Sequence, residues 1–200
     1  LLKHGALLGD ACTYYGQWWR VVTGGFLHGS IAHIGLNMLA LLQLGTLIED
    51  EYGQKRFLLI YFISLVGSGL AVVFAAPHDL TVGASGAIFG LFGAHIAVGF
   101  RIGGQRGRAM IMQVLPIIVI NLAFTFAIPN ISKAGHVGGL VIGLLAGLVL
   151  FMMPRPQREL AYVYAAGARG DTPAEVETIE QPPDAGPHEE AGAPPLEVRD

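Results

Sequence analysis

Five apolar runs of about twenty residues, at 29–48, 57–76, 81–100, 109–128 and 136–153, limit what this chain can become more than any other feature. Each is long enough, as a helix, to cross about 30 Å of hydrocarbon, which takes about 20 residues. No water is available there to bond exposed N–H and C=O groups, so a run of this length and evenness is expected to be helical rather than looped. The composition agrees: 52% of the residues are hydrophobic, only 14% are charged and the mean hydropathy is +0.54, too apolar for a soluble domain of this size. The expected fold is therefore all-α, a polytopic transmembrane helix bundle over residues 1–153 in contact with a lipid bilayer. No nucleic-acid partner is expected.

Charge in the connecting segments orients the bundle. Lys55 and Arg56 follow the first run, Arg101, Arg106 and Arg108 the third, and Arg155 and Arg158 the fifth, whereas the Pro77 to Leu80 loop has no cation and 129–135 has only Lys133. Cytoplasmic loops carry the excess of Lys and Arg. The N-terminal segment is thus expected outside and the C-terminus in the cytoplasm, in a multi-pass protein of the cell membrane. Residues 1–28, with Trp18, Trp19 and Arg20, have the composition of an extracytoplasmic interfacial loop. Leu1 to Asp10 has neither the basic start nor the apolar run of a signal peptide. Cys12 is the only cysteine, which excludes an internal disulfide framework and reads as an ordinary loop residue.

From 154 onward the chain turns to Pro, Ala, Gly and Glu, with ten acidic residues against four arginines, and is expected to be a disordered cytoplasmic tail over 154–200. The tail's net charge of −6 within a chain total of −3 leaves the membrane portion at about +3, as suits a body beside anionic lipid.

Ionisable and strongly polar residues are expensive inside a membrane and mark function by default. His33 and Asn37 stand four apart in the first run and share one helical face, with His28 just above them. Hydrogen bonding between helices is the alternative use for either residue alone. In the third run, Gly83-Ala84-Ser85-Gly86 permits a sharp turn from which Ser85 opens a short helix. From Gly86 to Phe100 is about 22 Å of helix, which places Ser85 below the outer surface. His136 heads the last run, ahead of Gly139, Gly143 and Gly147 on the same face, and Gly86, Gly90, Gly93 and Ala97 answer from the third. Such small-residue ridges let two helix backbones meet, close enough for a hydroxyl and an imidazole to bond at about 2.6 to 3.2 Å. Phe89, one turn below Ser85, is placed to stack on the imidazole. His95, deeper in the third run, reads as a packed or hydrogen-bonded residue.

Trp18-Trp19-Arg20, the stretch His28 to Asn37 (HGSIAHIGLN), Glu49, Gly83-Ala84-Ser85-Gly86 and Gly135-His136-Val137-Gly138-Gly139 together resemble the rhomboid proteases, over residues about 5 to 153. The resemblance implies an intramembrane serine endopeptidase with Ser85 as nucleophile and His136 as general base in a dyad. It implies oxyanion donors from His33, Asn37 and the Ser85 N–H, with Phe89, Gly83, Gly86 and His28 in support. Arg20 and Glu49 are implied as structural residues. Transmembrane proteins would be the substrates, and neither a cofactor nor a metal is implied. Two features depart from the family pattern: Gly135 stands where Ala is common, and Phe89 where Tyr is frequent. Rhomboids also have a further span ahead of the one carrying His33, and that span is expected upstream of Leu1.

Other functions fit less well. A transporter or channel would space its polar residues through the membrane, whereas here they cluster at one end. A rhomboid relative that only binds transmembrane clients would not need both Ser85 and His136. A zinc hydrolase built on Asp10, His28 and His33 lacks the i, i+4 histidine pair of helical zinc sites. Because residues beyond Arg158 lack the apolar content to pack on the body, truncation there is expected to leave proteolysis in detergent nearly intact. Turnover by truncated and full-length protein at equal folded concentration checks this.

Overall fold

Five long helices occupy the five apolar runs in the computed structural model, which describes residues 2–129 and 131–152; the expected tail lies outside the described residues. The chain begins with three short helices, α1 (Leu2–Gly5), α2 (Gly9–Tyr15) and α3 (Arg20–Thr23), then a 3-10 turn at Gly24–Phe26. The long helices follow as α4 (Ile31–Tyr52), α5 (Gln54–Ala75), α6 (Ser85–Ile102), α7 (Gly104–Ala127) and α8 (Lys133–Met152). Among the described residues there is no strand, only an isolated antiparallel bridge between Leu7 and Thr81.

Helix limits differ from the apolar runs where charged residues continue a helix past the hydrocarbon. The helix α4 takes in Glu49, Asp50 and Glu51, and α7 takes in Arg106 and Arg108. Backbone bonding, not side-chain polarity, ends them. At Gly53, φ of 82° ends α4 and one residue later α5 begins. Gly103 and Gly104, at φ 65° and 58°, make the equally short link from α6 to α7. Side-chain-bearing residues rarely adopt such angles, so glycine is required at these turns. At its start α4 is capped by Ser30, whose side chain accepts the His33 N–H at 3.1 Å.

The helix α6 forms the centre. It is 72% buried over its apolar window, against 17% to 44% for the other four. It packs most extensively on α8, and also on α5, α7 and α4. The outward faces are apolar, with Leu36, Leu39 and Leu42 on α4, Val119, Ile120 and Phe124 on α7, and Val141, Leu145 and Val149 on α8 all exposed. Such faces suit lipid.

The α6–α8 contact is made by backbone. A Cβ added to Gly139 would collide with the Gly86 carbonyl, one on Gly143 with the Gly90 carbonyl, and one on Gly93 with the Leu140 carbonyl. On its other side α6 meets Ser64 and Ser68 of α5 at Gly90 and Gly86. At the far end of the bundle His95 is wholly buried, with Nδ1 2.6 Å from Glu51 and Nε2 3.0 Å from the Met110 carbonyl, which ties α4, α6 and α7 together. Tyr52 adds a bond from its hydroxyl to the Ala94 carbonyl at 3.0 Å. Glu49, by contrast, is exposed, whereas the side chain of Glu51 is only 10% exposed.

The N-terminal segment packs Leu7, Cys12 and Val21 on Val72 and Val73 of α5. Arg20 is buried and pins this segment, its Nη1 donating to the Ala6 carbonyl at 2.7 Å and its Nε to Gln17 Oε1 at 2.6 Å. Burial raises the pKa of the Cys12 thiol and keeps it protonated and unreactive. Tyr14, Tyr15, Trp18, Trp19 and Phe26 remain exposed, a belt of the kind found at membrane interfaces.

Gly143→Ala is expected to cost about 1 to 3 kcal/mol by forcing α6 and α8 apart, whereas Gly35→Ala, at a site with nothing within 4 Å, is expected to be neutral. Thermal or denaturant unfolding in detergent checks both.

Candidate active site

Ser85 is the first residue of α6, and the chain reaches it through Gly83 at φ 121°. Gly83 donates its N–H to the Gly24 carbonyl at 3.0 Å, which ties this turn to the N-terminal segment. Ala84, at the N-cap of α6, has no side chain that can cap the helix, so it leaves the N–H groups of the first turn, including that of Ser85, uncapped. The helix runs 18 residues to Ile102, about 27 Å.

The glycine seam brings α8 against this turn and sets His136 opposite Ser85, with Nε2 to Oγ at 2.7 Å. The residue is held at three further points. Phe89 stacks on it with centroids 4.4 Å apart and planes 18° from parallel. Its Nδ1 lies 2.7 Å from Thr125 Oγ1 of α7, and its backbone N–H donates to the Ser132 carbonyl at 3.1 Å. Both Ser85 and His136 are half-buried. A serine so placed can pass its proton to a neutral imidazole as its oxygen attacks an electrophile.

The helix α4 supplies the facing wall. Asn37 is buried and spends one of its two amide protons on the His33 carbonyl at 3.1 Å. His33 Nδ1 accepts the Gly29 N–H at 3.4 Å, and a Cβ on Gly83 would come within 2.8 Å of His33 Nε2. Glycine at 83 thus admits the imidazole edge beside the Ser85 turn. His28 packs edge-on to His33 at 5.0 Å, and its Nε2 faces the Ala84 N–H at 3.5 Å. Burial, reinforced by the nearby His33, lowers the His28 pKa and favours the neutral ring that can accept from that N–H. Asp10 is bonded instead to exposed His78 at 2.7 Å, and among the described residues no three His, Cys, Asp or Glu side chains are grouped to share a metal ion.

A cavity of about 30 Å³, room for about one water, lies behind the pair and is lined by Ser68, Ser85, Gly86, Ser132, Gly135 and His136 among others. Thr125 and Ser132 are the site residues that the sequence reading overlooks. Asn121 and Thr125 are nonetheless polar residues four apart inside an apolar run, the same signal that marks His33 and Asn37.

The sequence matches the family profile described as Rhomboid domain over residues 15–153. It is 42% identical over 135 residues to "Rhomboid protease GluP" of Bacillus subtilis (strain 168), covering 68% of this chain and 26% of that protein. It is 34% identical over 158 residues to "RHOMBOID-like protein 1" of Arabidopsis thaliana, covering 78% of this chain and 40% of the relative. Against "Rhomboid-like protease 3" of Toxoplasma gondii it is 34% identical over 132 residues, 64% of this chain and 50% of the relative. The chain thus spans between a quarter and half of the length of these relatives. With a helical bundle built to cross a membrane and a profile match over most of its length, this chain is an integral membrane protein that belongs to the rhomboid family.

Proposed function

We propose that this chain is an intramembrane serine protease that hydrolyses peptide bonds in the transmembrane segments of other membrane proteins, with Ser85 as nucleophile and His136 as general base. The observation that carries this reading is the 2.7 Å contact between Ser85 Oγ and His136 Nε2 at the end of two glycine-packed helices. A client-binding protein without catalysis would have no need of that contact. The similarity to proteins named rhomboid proteases points the same way.

In this reading Ser85 Oγ attacks the substrate carbonyl carbon while His136 Nε2 takes the hydroxyl proton. His136 then gives that proton to the leaving amine, which departs and leaves an ester on Ser85. Water repeats the sequence, releasing the acid and restoring the hydroxyl. The oxyanion formed at each attack needs fixed donors, and the Ser85 N–H, the second amide proton of Asn37 and His33 Nε2 are suited to the task. Acceptance of the Gly29 N–H at Nδ1 leaves the His33 ring proton on Nε2, the edge that faces Gly83. A regular helix hides its carbonyls, so the substrate must unwind locally to reach Ser85. Segments weakened by Gly, Ala, Ser or Pro near that end are the fitting targets. In this reading the protein lies in the cell membrane, and the distribution of Lys and Arg favours a site near the extracytoplasmic face with the C-terminus in the cytoplasm.

Ser85→Ala and His136→Ala are each expected to abolish cleavage of a transmembrane substrate while leaving the melting temperature near that of the parent, because nucleophile and base act as one unit. Undiminished turnover by either purified variant would remove the dyad. Asn37→Ala is expected to lower kcat by about 100-fold or more with little change in KM, as loss of an oxyanion donor does. A loss confined to KM would reassign Asn37 to substrate binding.

A further inference from the structure

The helix α7 is the least buried of the five, and its few buried residues, Gly107, Val114, Ile118 and Thr125, form one stripe at spacings of seven, four and seven. The first three are apolar or small packing residues. Thr125, only 1% exposed, ends the stripe with a hydroxyl on the imidazole of His136. Valine would fill the same volume, so shape alone does not account for the hydroxyl.

The proton count gives the hydroxyl a direction. A threonine hydroxyl has one proton to donate, and its oxygen can also accept. Thr125 Oγ1 lies 2.7 Å from the Asn121 carbonyl, which can only accept, so the hydroxyl proton is committed there. Towards His136 Nδ1, also 2.7 Å away, Oγ1 can then only accept. The imidazole proton must sit on Nδ1, which leaves Nε2 with its lone pair facing Ser85 Oγ at 2.7 Å. The bonds run in one sense from the Ser85 hydroxyl through the imidazole and the Thr125 hydroxyl to the Asn121 carbonyl.

We propose that Thr125 is a positioning residue that holds His136 in the Nδ1–H tautomer, so that Nε2 is free to take the Ser85 proton. The inference rests on the dyad reading. Thr125 does from α7 what a carboxylate does in a three-residue serine site, fixing ring orientation and tautomer, but as a neutral group it adds no charge to an apolar surrounding. The competing account is that Thr125 only satisfies its own hydroxyl within α7 through the Asn121 carbonyl, as helical threonines do.

The test uses the full chain in detergent with a transmembrane substrate and a fluorophosphonate probe. Thr125→Val is expected to lower kcat about 10-fold, the scale of one neutral hydrogen bond, with KM changed by no more than about twofold. Thr125→Ser is expected to restore most of the loss, and probe labelling of Ser85 to slow in parallel. In the unsubstituted protein, side-chain 15N NMR of His136 is expected to show the proton on Nδ1. An unchanged kcat in a folded Thr125→Val variant, an equal loss in Thr125→Ser, or a neutral His136 with its proton on Nε2 would overturn the inference. The NMR result decides it even where Thr125→Val does not fold. Failure of the probe to label Ser85 in the parent protein would instead overturn the dyad, whereas a labelled parent with the Nε2–H tautomer would sink the Thr125 inference alone.

Discussion

Contact between the backbones of α6 and α8 is the constraint on which the remaining structure depends. Carbonyls of Gly86, Gly90 and Leu140 occupy the places where Cβ atoms of Gly139, Gly143 and Gly93 would otherwise stand. Lipid offers helices little hydrophobic reason to associate, so this contact draws its strength from dispersion between closely fitted surfaces. Its closeness also fixes chemistry. Ser85 and His136 lie at the top of the two facing ridges, and their 2.7 Å separation follows from the approach of the helices. The same contact brings Phe89 of α6 onto the imidazole at 4.4 Å.

Polar groups in the bundle gather at two levels. At one end lie Ser85, His136, Thr125, Asn37, His33 and His28; at the other, Glu51, His95 and Tyr52 join α4, α6 and α7. Between them the interior is packed by residues such as Leu91 and Ile118, interrupted by Ser64 of α5, which is buried against Gly90. A water-filled pathway would need polar lining along its length, so this separation suits the proposed enzyme site better than a conduit. An unpaired polar group in such surroundings is costly. The lower set, with His95 in contact with Glu51 at one ring nitrogen and bonded to the Met110 carbonyl at the other, therefore anchors the helices in register.

Much of this is readable from the amino-acid order because membrane helices are written plainly. Hydrocarbon demands long apolar runs, and the five helices appear where those runs lie, displaced by a few residues where charge continues a helix into the aqueous layer or a turn delays its start. The nearness of Ser85 and His136 is also readable, since glycines at intervals of three and four on both runs announce a close approach. Thr125 is not. A threonine within a helix ordinarily bonds the carbonyl four residues back, and nothing in the local pattern tells that its oxygen also meets an imidazole eleven residues on. The burial of Glu51 rather than Glu49 escapes for a similar reason, because a two-residue shift on a helix turns a side chain from outside to inside and only the neighbouring helix, with His95, decides which is favoured.

The two short glycine links, at Gly53 and at Gly103 with Gly104, both lie at the end of the bundle away from Ser85. At the Ser85 end the connections are longer, spanning 76–84 and 128–132. The arrangement is that of tweezers, joined tightly at one end and more freely at the other. A tilt of about 5° over about 30 Å of helix shifts the free end by about 2.5 Å, enough to part a hydrogen bond there while hardly moving the joint. Angles between helices, more than the shapes of loops, thus set how well the reactive groups are aligned, and a change far from Ser85 that alters such an angle by a few degrees acts on the site as directly as a change beside it.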